Sequence, residues 1–506
     1  MNRSQRWAVW APWTAIGAFA ALWAARWPSF PLVLDPYYHL LVARQVADAG
    51  GPLAYEWWEH APAGRPHLYP PALHLMLAAL LRAGIAPLAA IRLATVILPV
   101  ALLASLYLTA RRLAGPTVAA AALAIALTPF TFQLHCGITM AATLSMCGLL
   151  WLMVALEEDR PLAGGLLMAL IGYAHLGLPV ITLATVIGHA AVRGPEAWRR
   201  LSRAAWGAVL LVPWWLHVAA ARPGLQVTAR WENEGIEVLP VLLIAGAVGL
   251  WRCVRQRGRL TWLAACWAGF LLLAPRHFYR WVDGEGVLAL ALVGGAGIAW
   301  ALERLRPNRR WMGWVLVGVA LTMAPTYVRT GQGWERRWPD AAPWHLLGSS
   351  RVVRKPTDAT LISPQIEQVV ADVRRSTQPD EILWSNAPYA LGLVAALAGR
   401  PMSSAMLNEV GPARPFDPIA AAHVIVFFKL GDPPGWVTRD DLARYGVTPI
   451  VERDLAVLYR QERVPERAHP PKAALPLGAA LAALGLAVGT AGWDLARTRQ
   501  GRVIPV

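Results

Sequence analysis

The sequence predicts a polytopic α-helical membrane protein with an α/β domain on its outer side. Three observations carry this. Of 506 residues, 56% are apolar and only 15% charged, whereas a soluble domain holds about 25% charged residues. The apolar residues gather into about a dozen long stretches. The basic residues sit in short clusters between those stretches, on alternate sides. The net charge of +16 therefore does not indicate a nucleic-acid partner, since it is spread over membrane loops rather than gathered on one face. Four cysteines (Cys136, Cys147, Cys253, Cys266) form no CxxC pair and no disulfide framework.

A spanning helix needs about 20 apolar residues. Candidate spans lie near 7–25, 88–110, 113–130, 139–156, 161–176, 178–192, 204–220, 237–251, 259–274, 286–302, 311–327 and 473–493. The first follows Arg3 and Arg6, shows no small-residue cleavage site, and reads as an uncleaved span. Gly177 and Pro179 divide the fifth from the sixth. With the N-terminus inside, 20 arginines fall on inner loops and span edges against eight on outer ones before residue 328. Merging 161–192 into one span would reverse that bias, so the positive-inside rule favours two.

Residues 328–472 differ. They carry 18 Lys+Arg and 16 Asp+Glu and no spanning run. By parity they lie outside. Gln365–Arg374 reads as a helix, and Glu381–Trp384 and Val457–Tyr459 as strands. His423–Phe428 reads as a strand buried on both faces. Thr438 caps a short helix with Asp440 and Asp441 in its first turn, and Gly446 ends it. Strand and helix alternate, which predicts a partly parallel sheet. The expected organisation is thus a multi-span domain (1–327) with a long first outer loop (27–87), an extracytoplasmic α/β domain (328–472), and a final span with a basic inner tail (473–506). The chain is expected to be integral to the cell membrane, with both termini cytoplasmic.

The first outer loop is long beside the other loops, and such loops tend to carry function. Asp35-Pro36 reads as a helix start, with Asp35 as N-cap and Pro36 at the first helical position. The same carboxylate at the outer membrane face is a candidate base or metal ligand. His39, four residues on, shares its face. Glu56, Glu59 and His60 are further candidates for base or metal chemistry, or a solvated face. His67 and His74 flank Tyr69-Pro70-Pro71 and read as polar contacts or ligands. Arg276 and Arg280, four apart at a span edge, suit a phosphate because the planar guanidinium bonds it bidentately; a snorkelling pair is the plainer account. Glu232, His135 and His175 complete the candidates.

These residues resemble a known family. Asp35-Pro-Tyr-Tyr-His-Leu40 after the first span resembles the start of the catalytic subunit of oligosaccharyltransferase, in its single-subunit archaeal and bacterial forms. Pro62-Ala-Gly-Arg65 and Tyr69-Pro-Pro71 resemble the same loop there and in the wider C-type (GT-C) membrane glycosyltransferases. Arg276-His-Phe-Tyr-Arg280 resembles the segment that binds the lipid pyrophosphate. Trp384-Ser-Asn-Ala-Pro-Tyr389 sits where the family's WWDYG motif opens its outer domain. Two departures stand out. The second outer loop, Thr131–Thr139, has no acid where the family carries an acidic pair that helps hold a divalent metal. The sequon-reading WWDYG has become WSNAPY.

The resemblance implies transfer of a sugar from a polyprenyl-phosphate-linked donor to an acceptor on the outer face. Asp35, His39, Glu56 and Glu59 are then the catalytic candidates, and Arg276 and Arg280 hold the donor phosphate. His60, His67, His135 and Glu232 lie nearby. A divalent metal, Mg or Mn, would bind weakly at best, through Asp35. The expected partners are the lipid-linked donor and membrane lipid, with a membrane protein complex open and nucleic acid excluded. The alternative is a catalytically degenerate relative that serves as a structural or assembly subunit. A transporter is disfavoured, because the sequence holds no inverted repeat and almost no mid-span charge.

Overall fold

The computed structural model describes residues 3–31, 34–221, 236–275, 277–282, 284–306, 309–330, 333–337, 362–406, 411–412, 414–429, 437–463 and 465–497. Two of the expected site residues, Arg276 and Glu232, lie outside the described residues.

Every predicted span falls on helix. In chain order these are α1 (Arg3–Ala24), α2 (Asp35–Ala49), α3 (Ala72–Arg82), α4 (Pro87–Ala114), α5 (Pro116–Ala126), α6 (Phe130–Ile138), α7 (Met140–Glu157), α8 (Pro161–Ala174) and α9 (Leu178–Arg193). There follow α10 (Pro195–Ala204), α11 (Trp206–Val209), α12 (Val212–Ala221), α13 (Pro240–Gln256), α14 (Thr261–Phe270), α15 (Phe278–Val282), α16 (Gly286–Glu303) and α17 (Arg310–Met323). The α/β region adds α18 (Pro364–Ser376), α19 (Pro388–Ala398) and α20 (Arg439–Leu442), and α21 (Leu477–Ala496) is the last described helix.

Helices of full crossing length are fewer than the dozen apolar stretches of the sequence. Among the described residues, four helices are long and apolar enough to cross a membrane: α4, α7, α15–α16 and α21. The number becomes six if each of two bent pairs is one span. The physical reason is length. A helix such as α8, with 14 residues, rises about 21 Å, short of a hydrocarbon core of about 30 Å. The bent pairs have their own cause. Pro129 stands between α5 and α6, which bend by 82°, and Pro213 opens α12, which bends by 60° from the helix before it; proline removes a backbone donor and clashes with the preceding turn.

The central crossing is α15–α16, 83% buried, whereas α21 is 11% buried and peripheral. Helices α13 and α16 touch along a small-residue seam. A Cβ on Gly249 would lie 1.6 Å from the Val293 carbonyl oxygen, so only glycine permits this approach, the usual packing device between membrane helices.

A second layer is built on the long loop after α1. Two short strands, β1 (Tyr55–Glu56) and β2 (Arg65–Pro66), pair antiparallel. A three-stranded antiparallel sheet follows, of β3 (Glu237–Val238), β4 (Thr326–Thr330) and β5 (Gly333–Arg337). The α/β region holds β6 (Leu383–Trp384), β7 (Val424–Phe428), β8 (Val447–Glu452) and β9 (Ala456–Gln461) in the order β6-β7-β9-β8. Only β6 and β7 run parallel. As expected, β7 is buried throughout. Thr438 caps α20 and forms a capping box with Asp441. Gly446 takes the left-handed conformation, φ 58°, that ends the turn after it.

The first outer loop and the α/β region share one hydrophobic core. Tyr37, Leu41 and Val42 of α2 pack with Leu391, Val394 and Leu397 of α19. Main-chain bonds fasten the two: Met402 N–H to the Trp58 carbonyl at 2.8 Å, Ala61 N–H to the Met402 carbonyl at 3.0 Å, and His60 N–H to the Ser404 carbonyl at 3.1 Å. Ala61-Pro62 is cis and His60 has φ 52°.

Candidate active site

The helix that carries Asp35 begins one residue earlier than expected. Leu34 is the N-cap, already helical at φ −83°, ψ −31°, with Pro36 in the first turn. The Leu34 carbonyl accepts from Tyr37 N–H at 2.8 Å. Asp35 is therefore a first-turn acid and not the cap, placed where the helix dipole favours a negative charge. Its side chain is half-buried.

Glu56 and Glu59 are not a solvated face. Both are fully buried, and β1–β2 pairing sets Glu56 opposite Arg65. Arg65 Nε donates to Glu56 Oε2 at 2.8 Å, and its Nη2 donates to Glu59 Oε2. His67 Nδ1 lies 2.5 Å from Glu56 Oε1, and Met406 N–H donates to Glu59 Oε1 at 2.7 Å. Burial would raise both carboxyls. At Glu56 the adjacent Arg65 and His67 reverse this and hold it well below the usual range. At Glu59 burial and the neighbouring Glu56 charge outweigh Arg65 and push it up to about 8. Two carboxylates sharing one guanidinium divide in this way, one ionised and one holding a proton.

Histidines line the next layer. His39 Nδ1 lies 3.0 Å from His74 Nε2, and both rings are buried. Burial, then the His175 and His67 charges, pushes His39 down to about 3; burial takes His74 well down too. Both rings are neutral. Tyr69 stands edge-on to His39 with centroids 5.0 Å apart and near His175 at 6.3 Å. His175, in the turn between α8 and α9, accepts from Gly177 N–H through Nδ1 at 3.0 Å. Its Nε2 therefore carries the proton.

Across this layer stands a cluster that sequence reasoning did not assemble. Arg280 Nε lies 2.9 and 3.0 Å from the two Glu285 oxygens. His135 Nε2 lies 2.9 Å from Glu285 Oε2, off the hydrogen-bonding line. Glu285 is sealed, while the Arg280 and His135 side chains keep 20% and 15% exposure. Tyr69, His175 and this cluster act on one another electrostatically. Of the expected residues, then, His39, His67, His135 and Arg280 border one connected polar region with Asp35 one turn from His39. Glu56 and Glu59 form its buried wall. His60 lies at the hinge to the α/β region. Glu285 was missed; its one signal was an acid, two residues after Asp283 and five after Arg280, at the start of a long apolar run.

The donor set does not suit a divalent cation. Among the described residues no three of His, Cys, Asp and Glu gather in a metal-holding group, and Glu56 and Glu59 both bind a guanidinium. Hard cations want several oxygen ligands. The WSNAPY segment is also tied up. Asn386 Nδ2 donates to the Phe428 carbonyl at 2.9 Å, and its Oδ1 accepts from Phe428 N–H at 2.8 Å, so the amide serves the sheet.

No family model matches the chain, and no curated protein matches it in sequence. Solved structures do match in fold. The archaeal oligosaccharyltransferase AglB from Archaeoglobus fulgidus, in complex with an inhibitory peptide and a dolichol-phosphate, superposes with a TM-score of 0.52 at 12% identity, over 81% of this chain and 69% of that one. ArnT from Cupriavidus metallidurans gives 0.55 at 15% identity, over 90% and 98%. The arabinofuranosyltransferase AftD from Mycobacteria gives 0.56 at 16% identity, over 92% of this chain and 40% of that one. The chain thus has the fold of the polytopic C-type membrane glycosyltransferases.

Proposed function

We propose that the protein is a membrane glycosyltransferase that moves a sugar from a polyprenyl-phosphate-linked donor to an acceptor on the outer face of the cell membrane. The observation that carries this reading is the partly exposed Arg280, locked by the sealed Glu285 beside His135, in a fold shared with a structure solved with a dolichol-phosphate. A guanidinium so fixed is preorganised for a phosphate leaving group. Asp35 is the proposed base that takes the acceptor's proton, because Glu56 and Glu59 are committed to Arg65. Divalent binding, if present, is weak and centred on Asp35, and no step runs through it.

The proposed topology has about twelve crossings, short helices included, with both termini inside, residues 328–472 outside and the final span at 473–493. A second reading, an assembly subunit without activity, is favoured by the tied amide of Asn386 and the acid-free second loop. The test compares membranes carrying the wild-type chain or Asp35→Asn, supplied with radiolabelled polyprenyl-phosphate sugars. Label leaving the donor only with the wild-type chain supports transfer. Equal turnover in both overturns the catalytic role of Asp35, and turnover no greater than in membranes without the chain favours the assembly reading.

A further inference from the structure

We infer that His135 is a catalytic acid for the departing phosphate and that Glu285 is its positioning residue; the inference rests on the donor reading above. His135 and Arg280 grip the same buried carboxylate. His135 Nε2 lies 2.9 Å from Glu285 Oε2, and Arg280 Nε lies 2.9 Å from that same oxygen and 3.0 Å from Oε1. A phosphate held by Arg280 is therefore within reach of the His135 ring. Nε2 is buried against Glu285, and no hydrogen bond from the described residues occupies Nδ1, which leaves that nitrogen to a ligand.

The sealed Glu285 carboxylate beside the ring balances an imidazolium charge, which favours a histidine that moves protons. The other groups around His135 are accounted for. Arg280 and Glu285 come from the α15–α16 turn, His175 from the α8–α9 turn, and Cys136 adjoins it on α6. On α4, Arg92 is taken by the Pro28 and Phe30 carbonyls, and α7 brings no ionisable side chain before Cys147.

The step balances. The bond between the sugar's anomeric carbon and the phosphate oxygen breaks, and its electron pair stays on that oxygen. The proton on His135 Nδ1 goes to the same oxygen, which gives the polyprenyl hydrogen phosphate. The acceptor oxygen bonds the anomeric carbon and loses its proton to Asp35. Asp35 then releases its proton to water, and water returns one to the imidazole, which closes the cycle.

The test uses the purified full-length protein in detergent with EDTA present, and undecaprenyl phosphate as the probe. Binding is measured from about pH 5.5 to 8.5. Wild-type protein is expected to bind about tenfold tighter at the acid end than His135→Gln, because the imidazolium donates a charge-assisted hydrogen bond to the phosphate. The two should converge at the alkaline end. Glu285→Gln, which keeps the shape, is expected to lose the same acid-side advantage. In transfer assays His135→Gln should lower kcat by about 100-fold, leave the acceptor KM unchanged, and remove the alkaline limb of the pH profile. Identical pH dependence of binding in wild type and His135→Gln overturns the inference and leaves the donor reading standing. Wild-type protein that binds no undecaprenyl phosphate at any pH overturns both. Thermal unfolding of each variant separates these outcomes from misfolding, and a misfolded His135→Gln is replaced by the Glu285→Gln comparison.

Discussion

Arg65 Nε meets Glu56 Oε2 at 2.8 Å in a wall where both side chains are sealed from solvent. Nine residues separate them in sequence, and the β1–β2 ladder brings them opposite. The same guanidinium also holds Glu59, so its removal strands two buried acids.

Arg65→Met should therefore be among the most damaging single changes in this wall. Breaking a buried pair costs about 3–5 kcal/mol because an uncompensated charge remains. Arg65→Lys should rescue little, since an ammonium cannot span both carboxylates as the fork does. The check is thermal unfolding of detergent-solubilised protein. A midpoint for Arg65→Lys equal to wild type would contradict the shared-fork geometry.

Glu59 makes this wall pH-sensitive. Its carboxyl sits at about 8 in the folded protein, above the ordinary value of 4.5 that it regains on unfolding. Between those values the folded state holds a proton that the unfolded state has lost. Stability is therefore fully present below the lower value and falls as pH rises through the window to about 8, by at most roughly 1.4 kcal/mol per unit. Glu59→Gln, neutral at every pH, should flatten this slope. Unfolding midpoints from about pH 5 to 9 decide it; a stability that rises across that range in wild type would refute the assignment.

How much of this is legible in the sequence follows from range. Local signals hold: the turn at Gly446, the Thr438 cap, the buried strand Val424–Phe428 and the division at Gly177 all depend on neighbouring residues. The burial of Glu56 and Glu59 does not show, because an acid in a polar loop looks solvated until Arg65 and His67 fold over it. The His135–Glu285 contact joins residues far apart in the chain and leaves no periodic trace. Asp35-Pro36 has the pattern of a cap and first helical residue, but the chain turns helical at Leu34, where Tyr37 N–H already finds its carbonyl.

Asn386 is predicted to be structural. Asn386→Asp replaces the amide donor to Phe428 by a buried oxygen and should cost about 1–3 kcal/mol, without adding sequon recognition. A peptide-binding assay and an unfolding curve test the two halves. Unchanged stability would free this position for a recognition role.

Topology can be checked by single cysteines in a background without the four native thiols. Gln378 and Ser202 are both exposed, on the proposed outer and inner sides. An impermeant maleimide should label Gln378→Cys in intact cells and reach Ser202→Cys only after lysis. Labelling of Ser202→Cys in intact cells would invert the map.

Asp35 separates chemistry from folding. Were it the N-cap, Asp35→Ala would cost about 1 kcal/mol and Asp35→Asn almost nothing. Because Leu34 holds that position and Asp35 lies in the first turn, both substitutions lose a favourable charge at the helix N-terminus, typically about 0.3–1 kcal/mol. Both should therefore leave the protein folded with closely similar unfolding midpoints. Both should also abolish transfer, since neither Asn nor Ala accepts a proton from the acceptor. Asp35→Glu should retain a fraction of the rate, with its longer side chain misplacing the base. The pattern to look for is equal stability in Asn and Ala variants together with equal loss of kcat. Full activity in Asp35→Asn would instead assign the carboxylate to the helix alone, and the base would have to be sought among the histidines that border it.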